Sequence, residues 1–192
     1  MGEASEKGIA AHEADEARGA SEAEPKELEF RGATREDVPL IMELIRELAS
    51  YEHALDQVDT TDEDIERWLF DQRCGEDILA FENGVPVGQT LFFYNFSTFV
   101  GRRGIYLEDL YVRPEFRGKG YGLALMRNLA RIAVDRGCGR FEWGCFNDNY
   151  NGQGFYRSQG AQPLENWTVF RFAGDSLERF AAGDYVEPTP SA

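Results

Sequence analysis

The sequence predicts an α/β chain, of the α+β kind, built on a mixed β-sheet flanked by helices. Three observations carry this. Apolar-rich runs at 78–82 and 87–95 sit on either side of Asn83-Gly84, the signal of an antiparallel hairpin. A strand at 105–112, a helix at 120–136 and a strand at 140–146 read as a crossover between parallel strands. Val38, Ile41, Met42, Ile45, Leu48 and Ala49 recur at helical spacing, so that helix buries one face.

The other elements follow in order. Residues 28–31 form a short first strand. Thr34 caps the first helix, with Asp37 three residues on. Thr61 and Asp64 repeat the signal ahead of Ile65, Trp68 and Leu69. A basic turn is expected at 101–104, before the strand at 105–112. Leu125, Met126, Leu129 and Ala133 share a face of the crossover helix, and Gly137 ends it. A short helix at 150–159 stops at Gly160, and a last strand is expected at 166–172, with Trp167 in the core.

Composition narrows the function. The chain has 192 residues, 35 of them acidic and 20 basic, for a net charge of −15. Phosphate backbones repel such a chain, so no nucleic-acid partner is expected. No apolar run reaches the ~18 residues of a membrane span, and the first residues lack a secretory core, so a soluble cytoplasmic protein is expected. Three cysteines without C-x-x-C spacing and two histidines make a metal site improbable. Residues 1–27 read as an acidic disordered tail, 28–185 as the folded body and 186–192 as a second tail. Among the basic residues only Lys7, Lys26 and Lys119 are lysines. A high-salt habitat and arginine-favouring codons both account for that.

The chemistry concentrates at 105–122. A strand runs into Pro114, and Arg117-Gly118-Lys119-Gly120-Tyr121-Gly122 then opens a helix. Alternate glycines let a backbone wrap an anion, and the helix start adds N–H groups and a favourable dipole. This describes a pyrophosphate cradle. It is neither the Walker pattern nor the dinucleotide pattern, since Leu123 stands where the latter needs a third glycine step.

Arg117-x-x-Gly120-x-Gly122 resembles the [QR]-x-x-G-x-[GA] acyl-CoA loop of the GNAT N-acetyltransferases. Further matches resemble the spermidine/spermine and thialysine acetyltransferase branch: Tyr106-Leu107-Glu108-Asp109, Phe155-Tyr156, Gly160-Ala161, Glu47-Leu48-Ala49 with Tyr51-Glu52, and Glu165-Asn166-Trp167. The resemblance implies a GNAT fold whose two central parallel strands splay apart, and acetyl-CoA as co-substrate. The pyrophosphate is expected on Arg117, Gly118, Lys119, Gly120, Tyr121 and Gly122, with the pantetheine arm on Leu110, Tyr111, Val112 and Asn147. Asn149 is the alternative to Asn147. A bulge in the first splayed strand is expected to aim an N–H at the thioester oxygen.

The resemblance also implies roles. Tyr156 is the candidate to protonate the leaving thiolate, and Glu108 to take the proton from the acceptor ammonium. On a regular strand Glu108 would point away from both Leu107 and Asp109, and Asp109 reads as structural. Tyr51, Glu52 and Glu165 are candidates to line the amine site. The branch carries a Tyr-Asp-Pro-Trp turn where this chain has Asn95-Phe96-Ser97-Thr98-Phe99, which counts against spermidine. Cys145 with His53 could suggest a thiol nucleophile, but a buried strand cysteine is the ordinary reading. The expected activity is direct acetyl transfer to a small primary amine, by a homodimer. The alternatives are another acceptor (amino acid, antibiotic amine or protein N-terminus) or a non-catalytic acyl-CoA-binding module.

Overall fold

The computed structural model describes residues 28–184, so both predicted tails lie outside the described residues. Two compact units follow one another, the first ending at Gly144 and the second beginning at Cys145.

The first unit holds a five-stranded sheet in the order β1 (Leu28–Gly32), β2 (Glu76–Glu82), β3 (Val85–Ser97), β4 (Arg102–Val112), β5 (Phe141–Trp143). The first three pairings are antiparallel, and β4 with β5 is parallel. The mixed sheet expected from sequence is therefore present. Asn83 and Gly84 make the β2–β3 turn, both at positive φ.

Helix α1 (Val38–Tyr51) covers one face of the sheet and α3 (Tyr121–Asp135) the other. On the α1 side Val38, Ile41, Met42 and Leu44 pack with Ile65, Leu79 and Tyr111. On the α3 side Leu125, Leu129 and Ala133 join clusters with Ala80, Val87, Phe92, Ile105 and Leu107. The helical spacing seen in the sequence thus marks buried stripes. Thr61 and Asp64 form the expected capping box for α2 (Asp62–Ile65), which runs on into a wider turn at Glu66–Asp71.

Two features of the sheet position the chemistry. The register between β3 and β4 slips: Leu91 faces Asp109 but Phe92 faces Leu107. Glu108 is the extra residue, a β-bulge. Also, β5 pairs with β4 at Ile105, Tyr106 and Leu107 and ends at Trp143. From Glu108 onward β4 has no strand neighbour on that edge among the described residues.

Several expectations are corrected. Arg102 and Arg103 belong to β4, and the β3–β4 turn is 98–101 instead. Ser97 closes that turn: its Oγ accepts from Val100 N–H at 3.2 Å and its carbonyl from Gly101 N–H at 2.8 Å. β5 spans Phe141–Trp143, shorter than the 140–146 expected.

In the second unit, α4 (Tyr150–Ser158) forms where expected, and α5 (Asp175–Ala181) was not anticipated. Residues 166–172 are not a strand. Their apolar pattern meets no partner ladder, and a strand exists only through its ladder. Trp167, at 74% exposed, is not a core residue, and Phe170 is exposed too.

Leu129 is fully buried between α3 and the sheet. Leu129→Ala should lower unfolding stability by about 2–5 kcal/mol, read as a shifted midpoint in a urea titration with unchanged slope.

Candidate active site

The glycine loop expected to cradle a pyrophosphate follows directly on β4. Arg113 anchors the end of β4: its guanidinium reaches Glu43 at 2.6 Å, Glu47 at 3.1 Å and the Pro86 carbonyl at 3.2 Å. One 3-10 turn, Pro114–Phe116, leads to Gly118 (φ +77°) and Gly120 (φ +84°). That left-handed backbone favours glycine, although a Cβ would meet no neighbouring atom at either position. The first intrahelical bond of α3 is Ala124 N–H to the Gly120 carbonyl at 3.0 Å. The backbone N–H groups ahead of it point out of the helix end, a geometry that fits a pyrophosphate.

The side chains of the loop are more committed than the sequence suggests. Arg117 Nε donates to the Val112 carbonyl at 2.9 Å, and its guanidinium lies 4.5 Å from the Tyr51 ring centre and 5.6 Å from that of Tyr111. Lys119 is paired with Glu82 at 3.0 Å, and the Tyr121 hydroxyl donates to the same carboxylate. Tyr121 is buried, so only its backbone can serve a phosphate. Both cations stay exposed within the loop, but they are held in place by tyrosines and by Glu82.

Leu110, Tyr111 and Val112 pair with Thr90, Gln89 and Gly88 of β3. Their other edge has no strand partner, which suits an extended ligand lying alongside. The Tyr111 side chain is buried in the α1 core, with Glu47 nearby pushing its hydroxyl pKa further up beyond the effect of burial.

The bulge reorders the acceptor side. Below it Ile105 and Leu107 face α3, and above it Leu110 and Val112 face α3. Asp109 and Tyr111 therefore share the α1 face. Glu108 sits on the bulge itself, exposed, with no ion pair among the described residues. The arginine partner that would make it structural is not there. Asp109 is mostly buried, and its carboxyl is pushed up to about 7 by burial, with Glu108 and Glu52 adding to the rise. Glu52, at the end of α1, is also raised by burial. Asp77 faces Leu91 in the same row as Asp109, and burial with the Asp109 charge pushes it up to about 7. So the fold brings Glu108, Glu52 and Tyr51 to one neighbourhood, with Asp109, expected to be structural, and Asp77 buried beside them. Asp77 gave no motif signal, since only strand register brings it near.

In the second unit, Asn149 caps α4: its Oδ1 accepts from Gly152 N–H at 2.9 Å. Asn147 is exposed, and only its carbonyl is engaged, by Gln153 Nε2 at 3.0 Å. Among the described residues the Asn147 side-chain amide has no hydrogen-bond partner, whereas that of Asn149 is taken up by the cap. Tyr156 is half-buried on α4, its ring centre 5.3 Å from that of Phe155. Glu165 is exposed and lines an open hollow with Arg157 and Trp167. Cys145 Sγ lies 3.7 Å from the Phe146 carbonyl and 3.9 Å from that of Asn149. Among the described residues no group of three His, Cys, Asp or Glu side chains could hold a metal. No helix there is long and apolar enough to cross a membrane.

Comparison with known proteins decides the family, because the pattern of the acetyltransferase (GNAT) family matches residues 40–161. The chain belongs to the GNAT acetyltransferases. It is 36% identical over 164 residues to a thialysine N-epsilon-acetyltransferase of Bos taurus, covering 79% of this chain and 96% of that one. It is 30% identical over 160 residues to a human spermidine/spermine N(1)-acetyltransferase-like protein 1, covering 78% of this chain and 23% of the longer relative. Among solved structures, a V. cholerae integron cassette protein superposes with a TM-score of 0.68 at 27% identity, covering 82% of this chain and 99% of that one. This GNAT chain is thus an acyl-CoA-dependent N-acetyltransferase, and acetyl-CoA is the family's co-substrate.

Two predictions follow for the GNAT site. Gly120→Ala forces a side chain into left-handed backbone, at about 1–2 kcal/mol. It should raise the KM for acetyl-CoA more than that for the amine in steady-state kinetics. The second concerns pH. A carboxyl with raised pKa binds more protons folded than unfolded, so the stability it contributes is lost as pH rises from about 4 through about 7. Asp77→Asn removes one such charge. Its unfolding free energy relative to the parent, read from urea titrations, should be higher at pH 8 than at pH 5 by on the order of 1–3 kcal/mol.

Proposed function

We propose that this acetyltransferase acts on the primary amine of a small cationic molecule, of the thialysine, diamine or polyamine kind. The observation that carries the reading is the bulge. It sets an exposed carboxylate at Glu108 beside Asp109 and near Glu52, a negative surface with no basic side chain paired to it among the described residues. Such a surface binds ammonium and can take a proton from it. The names of the relatives support the same acceptor class.

The roles divide by chemistry. Arg117, Gly118, Lys119, Gly120, Tyr121 and Gly122 hold the pyrophosphate. Leu110, Tyr111, Val112 and Asn147 hold the pantetheine arm. Glu108 removes the ammonium proton, because only the neutral amine attacks the thioester. The extra residue of β4 frees a backbone N–H for the developing oxyanion. Tyr156 supplies the proton to the departing thiolate, whose parent thiol is the stronger acid. Tyr51, Glu52 and Glu165 line the acceptor side. Transfer is direct, without a covalent enzyme intermediate, and the working form is a cytoplasmic homodimer, as the branch resemblance implies.

The test is a free-CoA assay over thialysine, diamines, polyamines, amino acids and aminoglycosides. Glu108→Gln should lower kcat/KM for the best amine by about 10²–10⁴-fold without weakening CoA binding, and Tyr156→Phe should lower kcat. Parental rates in Glu108→Gln would remove it from proton transfer. A preference for aminoglycosides would move the acceptor to another class.

A further inference from the structure

The two cations of the glycine loop are held in different ways. Arg117 is bonded by the Val112 carbonyl and lies against two tyrosine rings. These partners are neutral, so its charge stays available to an anion. Lys119 is bonded by a carboxylate instead. Its Nζ donates to both oxygens of Glu82, at 3.0 and 3.2 Å. An anion that reaches Lys119 meets a charge already matched.

This pair joins parts of the chain far apart in sequence. Glu82 is the last residue of β2, opposite Leu28 of β1 and Val85 of β3. The Tyr121 hydroxyl donates to the same carboxylate, and the Tyr121 side chain is buried with Ala80, Val87 and Leu125. Two ring centres lie near the Lys119 ammonium, Phe116 at 4.8 Å and Tyr121 at 5.6 Å. A buried tyrosine thus fixes the carboxylate, and two aromatic rings steer the ammonium towards it. The Lys119 and Glu82 side chains are 45% and 24% exposed, so a ligand can reach the pair. An exposed pair of this kind is weak enough for a phosphate to open.

We propose that Glu82 is a positioning residue for acyl-CoA binding: it holds the Lys119 ammonium and yields it when a pyrophosphate occupies the glycine loop, and so sets how tightly CoA is kept. The proposal rests on the reading of residues 117–122 as the pyrophosphate loop. Glu82 touches no reacting atom. CoA and acetyl-CoA carry the same pyrophosphate, so Glu82 loosens both alike. Its effect falls on capture of the substrate and release of the product, not on acetyl transfer itself.

The test is a double-mutant cycle on CoA binding, read by isothermal titration calorimetry, which needs no acetyl transfer. Glu82→Gln keeps the shape and an acceptor for Tyr121 but removes the charge. It should tighten CoA by about two- to fivefold, with a larger gain at low salt. Made in Lys119→Gln protein, the same change should gain much less. In steady-state kinetics Glu82→Gln should lower the KM for acetyl-CoA more than that for the amine, a direction that mere loss of structure would not produce. Unchanged or weaker CoA binding in Glu82→Gln overturns the proposal. An equal gain with and without Lys119 also overturns it, since Glu82 would then act as a plain repulsive charge. Gly120→Ala tests the loop reading separately. CoA binding weakened by Gly120→Ala but unmoved by Glu82→Gln overturns the role of Glu82 alone. CoA binding untouched by both Gly120→Ala and Lys119→Gln overturns the loop reading, and the proposal with it. Should Glu82→Gln fail to fold, Glu82→Asp decides. It draws the carboxylate back by one methylene and should tighten CoA in the same direction, and unchanged binding there overturns the proposal.

Discussion

Between Leu107 and Asp109, β4 carries one residue more than β3 opposite it, and the arrangement of the acceptor side depends on that residue. A regular strand would put Leu107, Asp109 and Tyr111 on one face. The extra residue shifts the parity. Leu107, Leu110 and Val112 then all reach the α3 core, while Asp109 and Tyr111 turn to the α1 side. Glu108 is left on the bulge, out of both layers and exposed. Without the slip, Asp109 would enter the cluster around Leu129, where a carboxyl has no role. The bulge lets one strand bury two apolar sets and still present two adjacent carboxylates.

Beyond the bulge, β4 also loses its parallel neighbour. The open edge runs into the glycine loop, so one continuous stretch of backbone offers hydrogen-bonding groups from the bulge to the start of α3. Arg117 joins the two ends of this stretch. It bonds the Val112 carbonyl and lies against Tyr51, at the end of α1 beside Glu52. The glycine loop and the end of α1 are therefore joined through one guanidinium. A lysine could pair with an anion there, but it lacks the planar face that spreads over a tyrosine.

The sequence made some of this legible and hid the rest for physical reasons. The glycine loop was readable because left-handed backbone demands glycine, and the helix stripes because burial demands apolar spacing. The bulge was not, since alternation along 105–112 has no mark for an inserted residue. Asp109 read as structural because its burial depends on that insertion, and Asp77 had no signal because register is not local. The apolar run at 166–172 shows the opposite error. Side-chain pattern permits a strand, but no strand hydrogen-bonds to it. Arg102 and Arg103 read as turn because of their flanking glycines, yet Gly104 pairs with Asn95 inside the ladder.

A net charge of −15 looks hostile to a phosphate ligand, and the structure resolves the tension by scale. Repulsion from dispersed surface carboxylates is screened beyond about 8–10 Å. A backbone nest acts within hydrogen-bond reach and needs little net charge, so Lys119 can spend its charge on Glu82. The carboxylates near β4 work in the opposite regime. Buried away from water, their fields are weakly screened: burial first, then Glu108 and Glu52, makes Asp109 harder to ionise, and burial, then Asp109, does the same to Asp77. A hydrophobic residue at Asp77 would pack at less cost, so the fold holds this acid against its own stability.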